Sequence, residues 1–194
     1  MRTVHFPEKI IPAYDVDVFE YDELSDEAKD RAFDNFVSEG EPEFQLELTL
    51  NEIFDALCAF DRETGVESEI DGWNVLNLSA RSFDKMYTNG FQKLEDTGIC
   101  YSMDICDAWN AHVGKLSELW ETWYAAEYGD PSYEAEEALD AEIRAALHDV
   151  GAITQRNIDA EVDYYTNHRA EFFEEFDAYE HEYTADGEIW EEVA

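Results

Sequence analysis

Apolar residues recur at helical spacing along most of this chain, with a few short stretches of strict alternation between them. Tyr14, Val16 and Val18 alternate with Asp15 and Asp17, which predicts an extended segment within residues 10–21. Ser25 is a strong N-cap preceded by Leu24, a hydrophobic staple. Ala28, Ala32, Phe33, Phe36 and Val37 then form one apolar stripe, and Gly40 closes that helix. Phe44, Leu46, Leu48 and Leu50 alternate as in a strand. Ile53, Phe54, Leu57 and Phe60 continue at helical spacing, so a helix is predicted through about Asp61. Short strands are predicted at residues 73–79, 83–91 and 99–105, around Gly72, Gly90 and Gly98.

After Asp107 the texture changes. Trp109, His112, Val113, Leu116, Trp120, Trp123 and Tyr124 sit at helical spacing up to Gly129. Asp130 and Pro131 make an N-cap and first-turn proline, and Leu139, Ile143, Ala146, Leu147 and Val150 stripe a helix until Gly151. Between Thr154 and Asp186 there is no Gly or Pro. Ile158, Val162, Tyr165, Arg169, Phe172, Phe176, Tyr179 and Tyr183 alternate steps of four and three, a heptad seam. It predicts a helix of about 45 Å at about 1.5 Å per residue. The expected fold class is α+β: residues 1–106 form an α+β domain of short strands and two helices. Residues 107–194 form an acidic region of three long helices, packed with the first as one compact unit.

Charge changes this picture most. Across 194 residues, 49 Asp and Glu face 12 Lys and Arg, a formal charge of −37. Such a chain does not bind nucleic-acid backbones or anionic membranes, and it is a poor collector of nucleotides. Duplex DNA carries one charge per roughly 1.7 Å of axis, so −37 equals the charge on roughly 60 Å of duplex. Residues 118–194 hold 23 acidic residues against Arg144, Arg156 and Arg169, a net of −20. Asp159 with Asp163, and Glu171 with Glu174 and Glu175, are like-charge neighbours that destabilise a helix, and Glu180 and Glu182 oppose a helix dipole. A function outside folding is therefore expected to favour the charge. Salt adaptation is the competing explanation, and the five lysines fit it. The 28 aromatic residues exceed what it requires, because salt already strengthens apolar burial.

Catalytic and metal motifs are absent: there is no phosphate-binding loop, no nucleophile elbow and no zinc-binding His-Glu-x-x-His. Asp15-Val16-Asp17 begins like a calcium loop, but Phe19 and Glu20 stand where a ligand and the glycine belong. His112 lies on the tryptophan stripe and is expected to be a hydrogen-bonded core histidine. Cys58, Cys100 and Cys106 make an odd count without paired spacing, which argues against a disulfide framework and for a reducing cytoplasm. Cys100 and Cys106 are expected as small buried thiols. No apolar run reaches the roughly 20 residues of a membrane span, and no signal core precedes Tyr14. No cofactor is expected.

The segment from Tyr21 to Ala32, YDELSDEAKDRA, follows an extended stretch and resembles the opening of small phage and prophage proteins of unassigned function. Those proteins show a strand, a helix starting ELS-x-EAK-x-x-A, and a Gly-Val/Ile-Glu-Ile-Asp element. Gly65-Val66 and Glu69-Ile70-Asp71 echo that element, split by Glu67 and Ser68. The resemblance implies a phage or mobile-element origin and supplies no functional residues. In character the chain is similar to acidic DNA-mimicking anti-CRISPR and anti-restriction proteins.

The expectation is a non-enzymatic inhibitor whose carboxylates stand in for phosphates in a basic DNA- or RNA-binding cleft. The partner would be a CRISPR effector first and a restriction enzyme second, in the host cytoplasm. The expected partner-binding residues are Glu134, Glu136, Glu137, Asp140, Asp159, Asp163, Glu171, Glu174, Glu175, Asp177, Glu180 and Glu182. An acidic interaction module, such as an antitoxin or assembly factor, is the alternative. The heptad seam also leaves a homodimer open.

Overall fold

The computed structural model describes residues 2–5, 15–80, 91–127 and 133–190. The fold is mixed α+β, five helices with two small antiparallel hairpins among the described residues. The hairpins are β1 (Arg2–His5) with β2 (Asp15–Val18), and β3 (Val66–Asp71) with β4 (Asn74–Ala80). The helices are α1 (Asp26–Glu39), α2 (Glu41–Thr64), α3 (Ser102–Glu127), α4 (Tyr133–Asn167) and α5 (Arg169–Phe176). Two compact units emerge: residues 1–47 with 162–194, and residues 48–161. The join read near residue 107 falls inside α3, within the second unit.

In the first unit, α1 forms as its sequence dictates. The Ser25 hydroxyl accepts from the Ala28 N–H at 3.3 Å, Gly40 caps the far end, and Ala28, Ala32 and Phe36 are buried at four-residue steps. α1 packs on α5. Phe36 meets Phe172 and Phe173, and Tyr21 meets Phe173 edge-on at 5.5 Å, so aromatic rings build this core. The C-terminal segment closes against α1. A Cβ on Gly187, at φ +81°, would lie 2.1 Å from the Ala28 carbonyl oxygen, so only glycine fits there. Beside it Arg31 donates from Nε to the Asp186 carbonyl at 2.7 Å.

The helix expected from residue 154 to 186 is interrupted. α4 ends at Asn167, α5 ends at Phe176, and Tyr183 instead pairs as an extended residue with Phe19 through two 2.9 Å backbone hydrogen bonds. Two causes are visible. Phe172 and Phe173 are both buried, and consecutive residues cannot both lie on one heptad seam. The acid-rich stretch after them opposes further helix. Lack of Gly and Pro permits a helix without compelling one.

In the second unit, α2, α3 and α4 enclose a core with Leu57, Phe60, Ile105, Trp109, Leu116, Leu139, Ile143 and Val150, joined by Val66 and Leu78 of the β3–β4 hairpin. Gly151 does not end a helix as expected; α4 runs through it. A Cβ there would sit 3.3 Å from the Leu78 Cδ1, so the glycine lets α4 pass close to β4. The strand expected at residues 99–105 is replaced by a turn and the first turn of α3. Gly98 N–H donates to Asp96 Oδ1 at 2.9 Å, Ser102 bonds the same carboxylate, and Ile105 joins Trp109 and Val113 on one helical stripe. Apart from Phe91, the strand expected at residues 83–91 lies outside the described residues, as does the helix start expected at Asp130-Pro131. Phe91 is buried in non-strand backbone. All three cysteines are free; Cys106 is buried, whereas Cys58 and Cys100 are exposed. Among the described residues no helix is long and apolar enough to cross a membrane.

Candidate partner-binding surface

The twelve acidic residues singled out by sequence divide between the units. Glu134, Glu136, Glu137, Asp140 and Asp159 belong to the second; Asp163, Glu171, Glu174, Glu175, Asp177, Glu180 and Glu182 belong to the first. Glu134, Glu136, Glu137, Asp159, Asp163, Glu171, Glu174, Glu175 and Glu180 are exposed. Asp140, Asp177 and Glu182 are half-buried. Asp177 faces His181 at 3.4 Å, and burial pushes its carboxyl above the usual range against the pull of that imidazole. It is the poorest phosphate stand-in of the set.

Within the first unit the acidic surface is wider than local sequence density indicates. α5 buries Phe172 and Phe173 and turns Glu171, Glu174 and Glu175 to solvent. α1, packed on it, exposes Asp26, Asp30 and Asp34 at successive four-residue steps, about 6 Å apart along the axis. Sequence reading missed these three because the packing of α1 on α5 is non-local. The signal was present in the i, i+4 spacing of aspartates opposite the buried alanines. One stripe at about 6 Å per charge is thinner than a duplex at about 1.7 Å, so density of that order requires several stripes side by side. Residues 1–47 and 162–194 carry 25 Asp and Glu against five Lys and Arg, a net of −20 on 80 residues.

In the second unit, Trp123 of α3 and Tyr133 of α4 line a groove of about 560 Å³ with Glu136, Glu137 and Asp140. Aromatic faces beside carboxylates suit a Lys or Arg side chain, which gains a cation–π contact and an ion pair together. Arg144 pairs with Asp140 at 2.8 Å at one edge of that groove.

His112 joins a half-buried ionic cluster. Its Nδ1 lies 2.8 Å from the buried Glu142, its Nε2 lies 3.0 Å from Asp149, and Lys115 also bonds Glu142. With a carboxylate at each ring nitrogen, the doubly protonated ring satisfies both. Burial opposes the charge, but the two carboxylates outweigh it and hold the imidazole above its ordinary range. Lys115 and His112 together hold the Glu142 carboxyl below its range. An imidazolium engaged at both nitrogens is a tie between α3 and α4, with no lone pair to act as a base. The sign follows. A folded-state value above the unfolded one contributes stability that is full below about pH 6.5 and lost as pH rises through the folded value. The carboxylate contributions run the other way and fade as pH falls through their lowered values. His112→Gln is expected to lose about 1–2 kcal/mol at pH 6. The gap from wild type should narrow at higher pH in urea titrations; a gap constant from pH 6 to 9 contradicts the assignment.

Among the described residues no group of three or more His, Cys, Asp or Glu is placed to hold a metal ion. Comparison with known proteins finds no match: no family model, no curated protein and no solved structure is similar to this chain.

Proposed function

We propose that the protein is a non-enzymatic inhibitor, encoded by a phage or mobile element, that imitates nucleic acid. Its carboxylates would occupy the basic DNA- or RNA-binding cleft of a host defence protein in the host cytoplasm, a CRISPR effector first and a restriction enzyme second. One observation carries this reading, the match of charge to size in the first unit. A compact body of 80 residues has a radius of gyration of about 12 Å, hence a diameter of about 30 Å. Its net charge of −20 is that of roughly 34 Å of duplex. A surface charged like a duplex of its own length enters a phosphate-reading cleft with the steering that nucleic acid enjoys.

The acidic interaction module is the second reading, and the Trp123–Tyr133 groove favours it, because it seats individual cationic side chains rather than tracking a backbone. The two differ in competition: duplex DNA displaces the partner of a mimic and leaves the partner of a module bound. A salt-adapted domain separates from both by its folding. The mimic is expected to hold its circular dichroism spectrum at ~0.1 M salt, where the Debye length is about 10 Å. Folding only near molar salt would instead support adaptation. The direct assay is cleavage of a target duplex by the host nuclease with and without the protein, and inhibition relieved by excess duplex is the expected result.

A further inference from the structure

The β3–β4 hairpin presents large apolar side chains to solvent where a turn ordinarily carries polar ones. Gly72 and Trp73 form its two-residue turn, and the Trp73 indole is 51 % exposed. Ile70 pairs with Val75 and Glu69 with Asn77, so Leu76 is the extra residue of a β-bulge, and it is 56 % exposed. Bulges re-aim side chains. Ile70 adds a third exposed apolar group at 37 %. Beneath them runs a groove of about 440 Å³ floored by Leu78, Leu147, Gly151 and Ala152. The tip is held in place: the Gln155 side chain of α4 accepts from the Val75 N–H at 2.8 Å and donates to the Trp73 carbonyl at 3.3 Å.

Its surroundings select the occupant. The ionisable side chains of the hairpin itself, Glu67, Glu69 and Asp71, are all acidic, while Arg144 and His148 line the groove from α4. A second copy brings another charge of −37, and an anionic lipid surface is equally repelled. We infer that the β3–β4 hairpin is an anchor that inserts Trp73 and Leu76 into an apolar pocket flanked by Lys or Arg on a basic protein partner. This rests on the proposed function and deepens it. Carboxylates supply steering and reach that salt weakens, and the hairpin supplies a pre-organised apolar contact that salt does not weaken.

The test uses the full chain and two synthetic peptides with equal numbers of lysines, one of lysine and glycine, the other of lysine and leucine. Affinities are measured at ~0.1 M and ~0.5 M salt, together with indole emission assigned by subtracting Trp73→Phe. The lysine–leucine peptide is expected to bind roughly 30-fold more tightly and to shift the Trp73 emission to the blue. The pair Trp73→Ser with Leu76→Ser should abolish that preference while leaving the lysine–glycine affinity unchanged. Glu67→Gln with Glu69→Gln and Asp71→Asn keeps the apolar groups, so it should retain the preference at ~0.5 M salt and guards against a hairpin that merely unfolds. Equal affinities for the two peptides, or a preference that survives the serine pair, overturns the inference. So does an emission shift produced by phosphatidylcholine vesicles or by self-association that the serine pair abolishes. Failure of mimicry itself is read elsewhere, in competition with duplex DNA, and leaves the peptide preference standing.

Discussion

Phe173→Ala will destabilise the first unit by about 3–5 kcal/mol, the range for emptying a buried phenylalanine site. Phe173 is 2 % exposed, and its ring lies 5.5 Å from Tyr21, 5.7 Å from Phe33 and 5.0 Å from Phe36. α1 meets α5 there. The unit also carries a net charge of −20, so repulsion leaves little stability in reserve. At ~0.1 M salt the variant should lose the near-ultraviolet circular dichroism of its tyrosines. Molar salt, with a Debye length of about 3 Å, should restore part of it. Phe176→Ala is the control. That ring is 58 % exposed and should change stability by less than about 0.5 kcal/mol. Similar losses for both would mean that the heptad seam continues unbroken and that the two-residue burial at Phe172 and Phe173 is misplaced.

Reversing four exposed charges will separate binding from stability. Glu171→Lys, Glu174→Lys, Glu175→Lys and Glu180→Lys in one chain change the net charge by eight units. Affinity for a basic partner should fall by about 100-fold or more, and its dependence on salt should flatten. Stability should rise over the same change, since the unit's net charge falls from −20 to −12 and its self-repulsion drops. A protein selected only for folding would not keep residues whose removal stabilises it; one selected to resemble a polyanion would. Unchanged inhibition by a folded quadruple variant contradicts the assignment of these residues.

Local chemistry made parts of the fold legible in the sequence. The Ser25 cap, the Ala28–Ala32–Phe36 stripe and the Gly40 stop specify α1 without help from elsewhere. In α2 the alternation from Phe44 to Leu50 was a decoy. Leu46 and Leu50 are buried at helical spacing, whereas Phe44 and Leu48 face solvent. Gly151 looked like a stop because glycine so often ends helices; its reason lies in Leu78 of β4, distant in sequence. The seam through Phe176, Tyr179 and Tyr183 failed for a like cause, since Phe19 claims the Tyr183 backbone. The acidic surface followed the same rule. Sequence located the carboxylates of α5 but not Asp26, Asp30 and Asp34 of α1, the helix packed on it. The alternation from Trp73 to Ser79 predicts a strand beginning at Trp73, whereas the Asp71–Asn74 pair places Trp73 in the turn, where it is exposed.

The most direct measurement is recovery of partners from host lysate at ~0.1 M and ~0.5 M salt, with mass spectrometry and with duplex DNA as competitor. The account predicts that the lower-salt arm recovers a basic nuclease or effector complex. Duplex DNA should displace it, and the quadruple reversal should lose it. A folded protein that recovers nothing duplex DNA can displace contradicts mimicry.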